Sequence, residues 1–311
     1  MGVMIKFYAT SEGGKKIKEI NAPKKGCWIH IEAPTKEEIV EVAKLTAIDE
    51  HIFNHAIDED AIARSFDGED FKMISIDIPK TVENECVSTK PLALINTSDY
   101  FITICNATTT VINDFFEGRI KNINIQRRTE LTYKILLNNS RRFLYYLKKI
   151  DRKSNSFKKN LAKSSNNKEL LQLLDLQETL VFFAASLNAD YSVVHKLHNQ
   201  SKHDTEDEHN ILEDVLIETR QAIEMCTVSR EIIKNIMDAF ASVVSNNQNK
   251  IMKFLAAITI ILSIPVVIAG LWGMNTGVPF EGALWGFWVA IGIALFITGI
   301  VAIIMVKRKM F

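Results

Sequence analysis

Between Lys253 and Lys307 the chain carries one formally charged side chain, Glu281, although 24% of all its residues are charged. Two apolar runs fill most of that interval. Ile251 to Leu271 gives 21 residues with Lys253 as the only charge, and Leu284 to Val306 gives 23 residues with none. As helices, each spans roughly 30 Å, the thickness of a bilayer hydrocarbon core. Buried core helices of a soluble fold can be as apolar, but not between such cleanly basic flanks. Lys250 and Lys253 flank the first run, and Lys307, Arg308 and Lys309 flank the second. Basic flanks stay on the cytosolic side, so the intervening loop is expected outside and both termini inside.

The rest of the chain differs sharply in composition. Lys+Arg and Asp+Glu balance at 37 each, which points to no nucleic-acid partner. Cys27, Cys86, Cys105 and Cys226 are scattered with no CxxC pair, arguing against a disulfide framework or a structural zinc site. The N-terminus, MGVMIKFYATSEGGKK, lacks the apolar core of a signal peptide. Lys6 stands where a myristoylation motif needs Ser or Thr. The expected protein is therefore multi-pass in the cell membrane, with its bulk in the cytosol.

Residues 1–115 alternate strand-like and helix-like signals. CWIHIEAP, FKMISIDIP and DYFITICN read as strands. TKEEIVEVAKLTAIDEHIFNHAI reads as helix, with Ile39, Val42, Ala43 and Ile48 at helical spacing and Thr35/Glu38 as a capping box. From Asp114 to Asn249 there is no Pro and only Gly118 among glycines, so long helices are expected, with breaks near SSNN and SKHDTEDEH. The domain reading is an α/β domain over 1–115, a helical region over 116–207 and a stalk helix over 208–250. A first transmembrane helix over 251–272, a loop over 273–283, a second transmembrane helix over 284–306 and a basic tail over 307–311 complete it.

The stalk shows an apolar stripe through Leu212, Val215, Ile223, Val228, Ile232, Ile236, Phe240 and Val243. With the first span it predicts a rod of roughly 60 residues and about 90 Å. Parallel self-association would bury the stripe. Two spans from one subunit cannot enclose a water-filled path, so any such path needs several subunits. Asn249, Met252, Leu255, Thr259, Ser263, Val266 and Gly270 are spaced 3 or 4 apart and share one face of the first span. That face has two readings, a pore lining or helix–helix packing through small and hydroxylated residues.

Gly273-Met274-Asn275, set between the two apolar runs, resembles the signature of the CorA family of magnesium transporters. The similarity extends over IILSIPVVIAGLWGMN, SVVSNNQNKIMKFL, LQETLVFFAASL, YLKKIDRKSN, PTKEEIVEVAKL and KPLALINTSDYFIT, and so over nearly the whole chain. Trp272 replaces the Tyr or Phe usual before the motif. Val278-Pro279-Phe280-Glu281 stands in place of a common Met-Pro-Glu-Leu run, leaving Glu281 an unaligned loop acid. The resemblance implies an α+β cytosolic domain, long stalk helices and a two-helix transmembrane hairpin, assembled as a funnel-shaped homopentamer.

It also implies passive flow of Mg²⁺, with Co²⁺ or Ni²⁺ as further cargo, driven by the membrane potential at about 4.6 kcal/mol per divalent ion per 100 mV. Mg²⁺ dehydrates reluctantly and prefers octahedral oxygen. An Asn275 amide ring, with Gly273 allowing close backbone approach, would hold the hydrated ion without trapping it. Regulation by intracellular Mg²⁺ is implied too. Asp214 falls at the family's regulatory stalk acid, Asp238 is a second stalk acid, and Asp58, Glu59, Asp60, Asp67 and Asp70 are possible partners.

Other patterns carry less. His51 and His55 share a helix face, but HEXXH and a third ligand are missing. Arg127-Arg128 and Arg141-Arg142 read as solvated helix faces or an anchor for membrane lipid. No nucleophile–base constellation or phosphate loop is visible, so an enzyme is not expected. A zinc exporter of the same fold, or a membrane-tethered coiled-coil sensor without a pore, remains as the alternative.

Overall fold

The computed structural model describes residues 5–11, 16–58, 61–82, 85–160, 167–201, 204–274, 277–280, 283 and 285–308. The chain forms two compact units, Met1–Ile236 and Met237–Phe311.

The first unit is built on a seven-stranded sheet of order β2-β1-β3-β7-β6-β5-β4. The strands are β1 (Ile5–Thr10), β2 (Ile17–Ile20), β3 (Trp28–Glu32), β4 (Arg64–Asp67), β5 (Phe71–Val82), β6 (Glu85–Thr97) and β7 (Phe101–Cys105). Only β3 and β7 pair in parallel; every other neighbouring pair is antiparallel. The three strands expected from CWIHIEAP, FKMISIDIP and DYFITICN are β3, β5 and β7.

Both faces of the sheet are covered, so its central strands are almost continuously apolar. Along β3, Trp28 enters one core and Ile29 and Ile31 the other. Leu92 and Leu94 of β6 join Trp28, whereas Ala93 and Ile95 join Ile29. The Ile29 side is closed by α1 (Lys36–Thr46) and α2 (Glu50–Ala56), through Ile39, Val42 and Phe53. The Trp28 side is closed by α3 (Thr110–Phe116), α4 (Arg128–Asn160), α5 (Asn167–Gln200) and the start of α6 (Glu206–Trp272).

The Thr35/Glu38 capping box forms as read. The helix it starts is shorter than its apolar spacing suggests. Ala47 adopts φ 57° as C-cap, and Asp49 caps α2 by accepting the His51 N–H at 2.9 Å. A second capping box, Thr205 with Glu208, starts α6.

Within this unit α6 buries Leu212, Val215, Thr219, Ala222, Cys226, Ser229, Ile233 and Ile236, spaced alternately 3 and 4 apart. That is a 3.5-residue repeat, and half of its members are small or polar. Thr219 Oγ1 lies 2.8 Å from Ser140 Oγ of α4, and Cys226 Sγ contacts the Leu180 carbonyl of α5 at 3.4 Å. Of the expected stripe, Leu212, Val215 and Ile236 are buried here, whereas Val228 is 55% exposed. An apolar-only scan passes over Thr219 and Ser229, which bury well because each fits a close helix crossing.

Two acidic sites hold this helical layer on the sheet. Asp114 on α3 is buried and accepts from Arg142 Nε and from Asn138 Nδ2 at 2.7 and 2.9 Å. Burial pushes its carboxyl up, but hydrogen bonds from Arg142, Asn138 and Arg119 prevail and hold it below the usual carboxylate range. Asp190 on α5 is also buried, with no such cation. It accepts from the Asp77 backbone N–H at 2.8 Å and from Asn139 Nδ2 at 3.1 Å. Burial, then the Asp77 charge, push its carboxyl well above the usual range.

The second unit contains the remainder of α6 and α7 (Gly286–Lys307). Pro265 inside α6 leaves the Ile261 carbonyl without its helical donor. A cavity of about 600 Å³ between the two helices is lined by Pro265, Ala269, Trp272, Gly286, Ala290 and Ala294, among others. By length and composition α5, α6 and α7 could each cross a membrane. In α5, 39% of the most apolar window is buried inside the chain, against 6% in α6 and 11% in α7. Its apolarity belongs to the core of the first unit.

A raised carboxyl stabilises the fold below its unfolded pKa, about 3.9, and that contribution is lost as pH rises through the folded value. Asp190→Asn removes the titration. The melting temperature of wild type minus that of Asp190→Asn should therefore fall as pH rises above about 4. Thermal unfolding in detergent across that range checks it, and a constant difference would mean that Asp190 stays ionised in the fold.

Candidate ion-conduction site

The seven residues of the candidate lining, Asn249, Met252, Leu255, Thr259, Ser263, Val266 and Gly270, all lie on α6 and are all exposed in the single chain. Met252 is 59% exposed, Leu255 52% and Val266 70%. At 100° per residue they occupy an arc of about 120°. The residues of α6 that are less exposed, Ala257, Ile258, Ile261, Ile264, Pro265, Ile268 and Trp272, cluster on the opposite side. Pro265, Ile268 and Trp272 line the cavity against α7. The lining face therefore points away from its own hairpin partner, and packing against α7 is not its role.

Its two hydroxyls are pre-set. Thr259 donates to the Leu255 carbonyl at 2.8 Å and Ser263 to the Thr259 carbonyl at 2.7 Å. Each hydroxyl proton is used inside the helix, so the oxygen presents acceptor lone pairs outward. A hydrated cation turns water hydrogens outward, and acceptor oxygens match that shell. Above and below are apolar side chains, Met252 and Leu255 toward the basic flank and Val266 toward the loop.

At the loop, Gly273 closes α6 by donating its N–H to the Ala269 carbonyl at 2.9 Å, and Met274 is 54% exposed. Asn275 and Glu281 lie outside the described residues.

The acids show no assembled site in one chain. Asp214 and Asp238 are exposed on α6. Asp67 lies 3.9 Å from Lys72, and Asp70 lines a cavity of about 710 Å³ with Asp49, Glu69 and Asp99. Asp58 is exposed just beyond α2, and Glu59 and Asp60 fall outside the described residues. Among the described residues, no three His, Cys, Asp or Glu come close enough to hold a metal ion.

The remaining sequence candidates have structural partners. His55 Nε2 lies 2.6 Å from Arg64 Nη2. Arg127 pairs with Glu130 at 2.9 Å, Arg128 donates to the Ser98 carbonyl at 2.9 Å, and Arg141 pairs with Glu218 at 3.5 Å. Arg142 is spent on Asp114. Arg127 and Arg141 stay largely exposed beside these partners, as residues of a solvated helix face do, whereas Arg142 is partly buried against Asp114. No sequence signal marks Asp114 as the anchor of Arg142, since the pairing joins residues 28 apart on different helices.

A mixed-sheet α+β unit and a pair of long apolar helices define an integral membrane protein with transmembrane helices. The chain belongs to the CorA-like Mg²⁺ transporter protein family, whose model matches residues 23–308. It is 27% identical over 282 residues to the cobalt/magnesium transport protein CorA of Methanocaldococcus jannaschii, covering 87% of this chain and 86% of that relative. It is 24% identical over 293 residues to the magnesium transport protein CorA of Helicobacter pylori, covering 91% and 89%. Its fold matches the complete structure of the CorA magnesium transporter from M. jannaschii with a TM-score of 0.82 at 23% identity, covering 99% of this chain and 98% of that one.

Thiol labelling separates water-lined from packed faces. Ser263→Cys and Thr259→Cys in reconstituted protein should react with a charged aqueous thiol reagent, whereas Ile261→Cys on the α7 side should not. Cys27, Cys105 and Cys226 are buried, and Cys86 is first replaced by Ser to remove its background. Equal protection of all three introduced thiols would leave the face as a packing seam.

Proposed function

We propose that this protein is a homopentameric channel that admits Mg²⁺, and Co²⁺ or Ni²⁺ in its place, passively across the cell membrane. The observation that carries this reading is the exposed lining face of α6, which presents hydroxyl oxygens in the middle of an apolar span. A polar face turned away from the hairpin partner needs either lipid, which it suits poorly, or copies of itself. Five copies around an axis would give a narrow path with Thr259 and Ser263 as acceptor rings. Met252 and Leu255 would then form apolar rings that block ions by excluding water. The names of the relatives, which carry cobalt and magnesium, accord with a stripe whose polar groups offer oxygen. No imidazole or thiolate lies on the stripe, and Zn²⁺ would favour such ligands.

In this reading Asn275 forms the outer mouth and Glu281 raises local cation concentration in the loop. The closed state is held by intracellular Mg²⁺ bridging Asp214 to an acid of a neighbouring subunit. Asp214 is exposed and, among the described residues, belongs to no metal-holding cluster in one chain, which suits a site completed by a neighbouring subunit.

Flux of Mg²⁺, Co²⁺ and Zn²⁺ into proteoliposomes tests the function, and native mass spectrometry in mild detergent tests the pentamer. Asn275→Ala should cut Mg²⁺ flux at least about tenfold, a change of about 1.4 kcal/mol, with assembly intact. Wild-type flux in that variant would place the mouth elsewhere. For the gate, protease protection of the cytosolic unit should rise with Mg²⁺ in wild type and stay flat in Asp214→Lys, whose ammonium stands where the ion would sit. An unshifted titration would reduce Asp214 to a solvated acid.

A further inference from the structure

Residues 148–168 contain eight Lys or Arg and a single acid, Asp151, in a chain whose formal net charge is zero. They include the end of α4 and the start of α5. This basic segment lies far in sequence from the flanks that orient the two spans.

The position of this basic end follows from contacts. Asn139 of α4 meets Asp190 of α5 at 3.1 Å, and the Phe143 and Phe183 rings lie 4.9 Å apart, so the two helices are antiparallel. Leu180 of α5 meets Cys226 of α6, Tyr191 meets Arg220, and His198 meets His209, so α5 and α6 are antiparallel as well. Stepping back along α5 from Leu180 toward Asn167 therefore moves along α6 from Cys226 toward Ile236. The closed end of the hairpin is thus the end of the first unit from which the chain leaves for its apolar spans.

Side chains there are dual in character. Lys148, Arg152 and Lys158 are exposed on α4. Close by on α5, Leu171 is 60% exposed and Leu174 43%. Cations beside exposed leucines match a lipid interface, where headgroup charge meets the first acyl carbons. A purely solvated tip would have no use for the leucines, and a nucleic-acid surface would have none either.

We propose that the closed end of the α4–α5 hairpin docks on anionic lipid headgroups of the cytosolic leaflet. The proposal rests on the chain being embedded in a bilayer, but not on its carrying Mg²⁺. Incorporation into discs tests the embedding separately from the docking.

The full chain is placed in nanodiscs of phosphatidylcholine alone or mixed with phosphatidylglycerol, and amide hydrogen exchange is followed over residues 167–174. Exchange should slow in the mixed discs by at least about fivefold, the factor that one Lys or Arg near an anionic surface supplies. High salt should reverse it. The combined Lys148→Glu, Arg152→Glu and Lys158→Glu variant should abolish the lipid effect, and Leu171→Ser should weaken it. All four sites are exposed, so folding should survive. Equal exchange in both disc types overturns the proposal. So does slowing that persists in the charge-reversed variant, which would assign the surface to contact between copies.

Discussion

In a hydrocarbon core no backbone N–H or C=O can stay unpaired, so a chain that crosses it has almost no conformational choice. The interval from 254 to 306 must be helical wherever it lies in lipid, and the structure makes it so over the end of α6 and over α7. What remains variable is which side chains each face shows. In α6 that freedom is used to segregate bulky residues toward α7 and hydroxyls away from it.

The first unit solves a different problem, because there water competes for every polar group. Its two buried carboxyls show opposite solutions. Asp114 is matched by arginines and stays charged, so removing its partners would leave a buried anion, a loss of about 3–5 kcal/mol. Asp190 has no cation in reach and is instead pushed toward its neutral form beside Asp77. One site ties α3 to α4 electrostatically; the other ties α5 to β5 by hydrogen bonds that burial makes strong. His30 in the sheet resembles the second case. Burial lowers its pKa despite Glu32 3.2 Å away, and its Nδ1 lies 2.8 Å from Thr103 Oγ1.

The parts legible in the sequence were those written in short-range code. Apolar runs of 21 and 23 residues, a Thr–Glu capping box and alternating strands each need only neighbours a few positions apart. β3, β5 and β7 were visible for that reason, since WIHIE and FITIC are apolar on both faces. β1, β2, β4 and β6 were less so. Edge strands β2 and β4 are short and mostly exposed, and β6 contains Pro91 and blends into the run before β7. The buried face of α6 was hidden for another reason. Its repeat is carried by Thr219, Ala222, Cys226 and Ser229, whose burial depends on how closely α4 and α5 approach. The lining stripe could be read as a face from spacing alone, but its direction relative to α7 could not.

That direction constrains the chemistry of the proposed path. Divalent ions bind strongly to carboxylates, and a chain of tight sites would hold an ion rather than pass it. Along the whole interval between the basic flanks this sequence places one acid, Glu281, and it falls in the loop rather than on the lining face. The lining itself offers only neutral acceptors, and the helix has already consumed the hydroxyl protons of two of them. In the proposed path such a surface would hold a hydrated ion through its water, with each contact weak enough to exchange. Carboxylates are abundant only in the first unit, where slow, tight occupancy suits a sensor and would not suit a conductor.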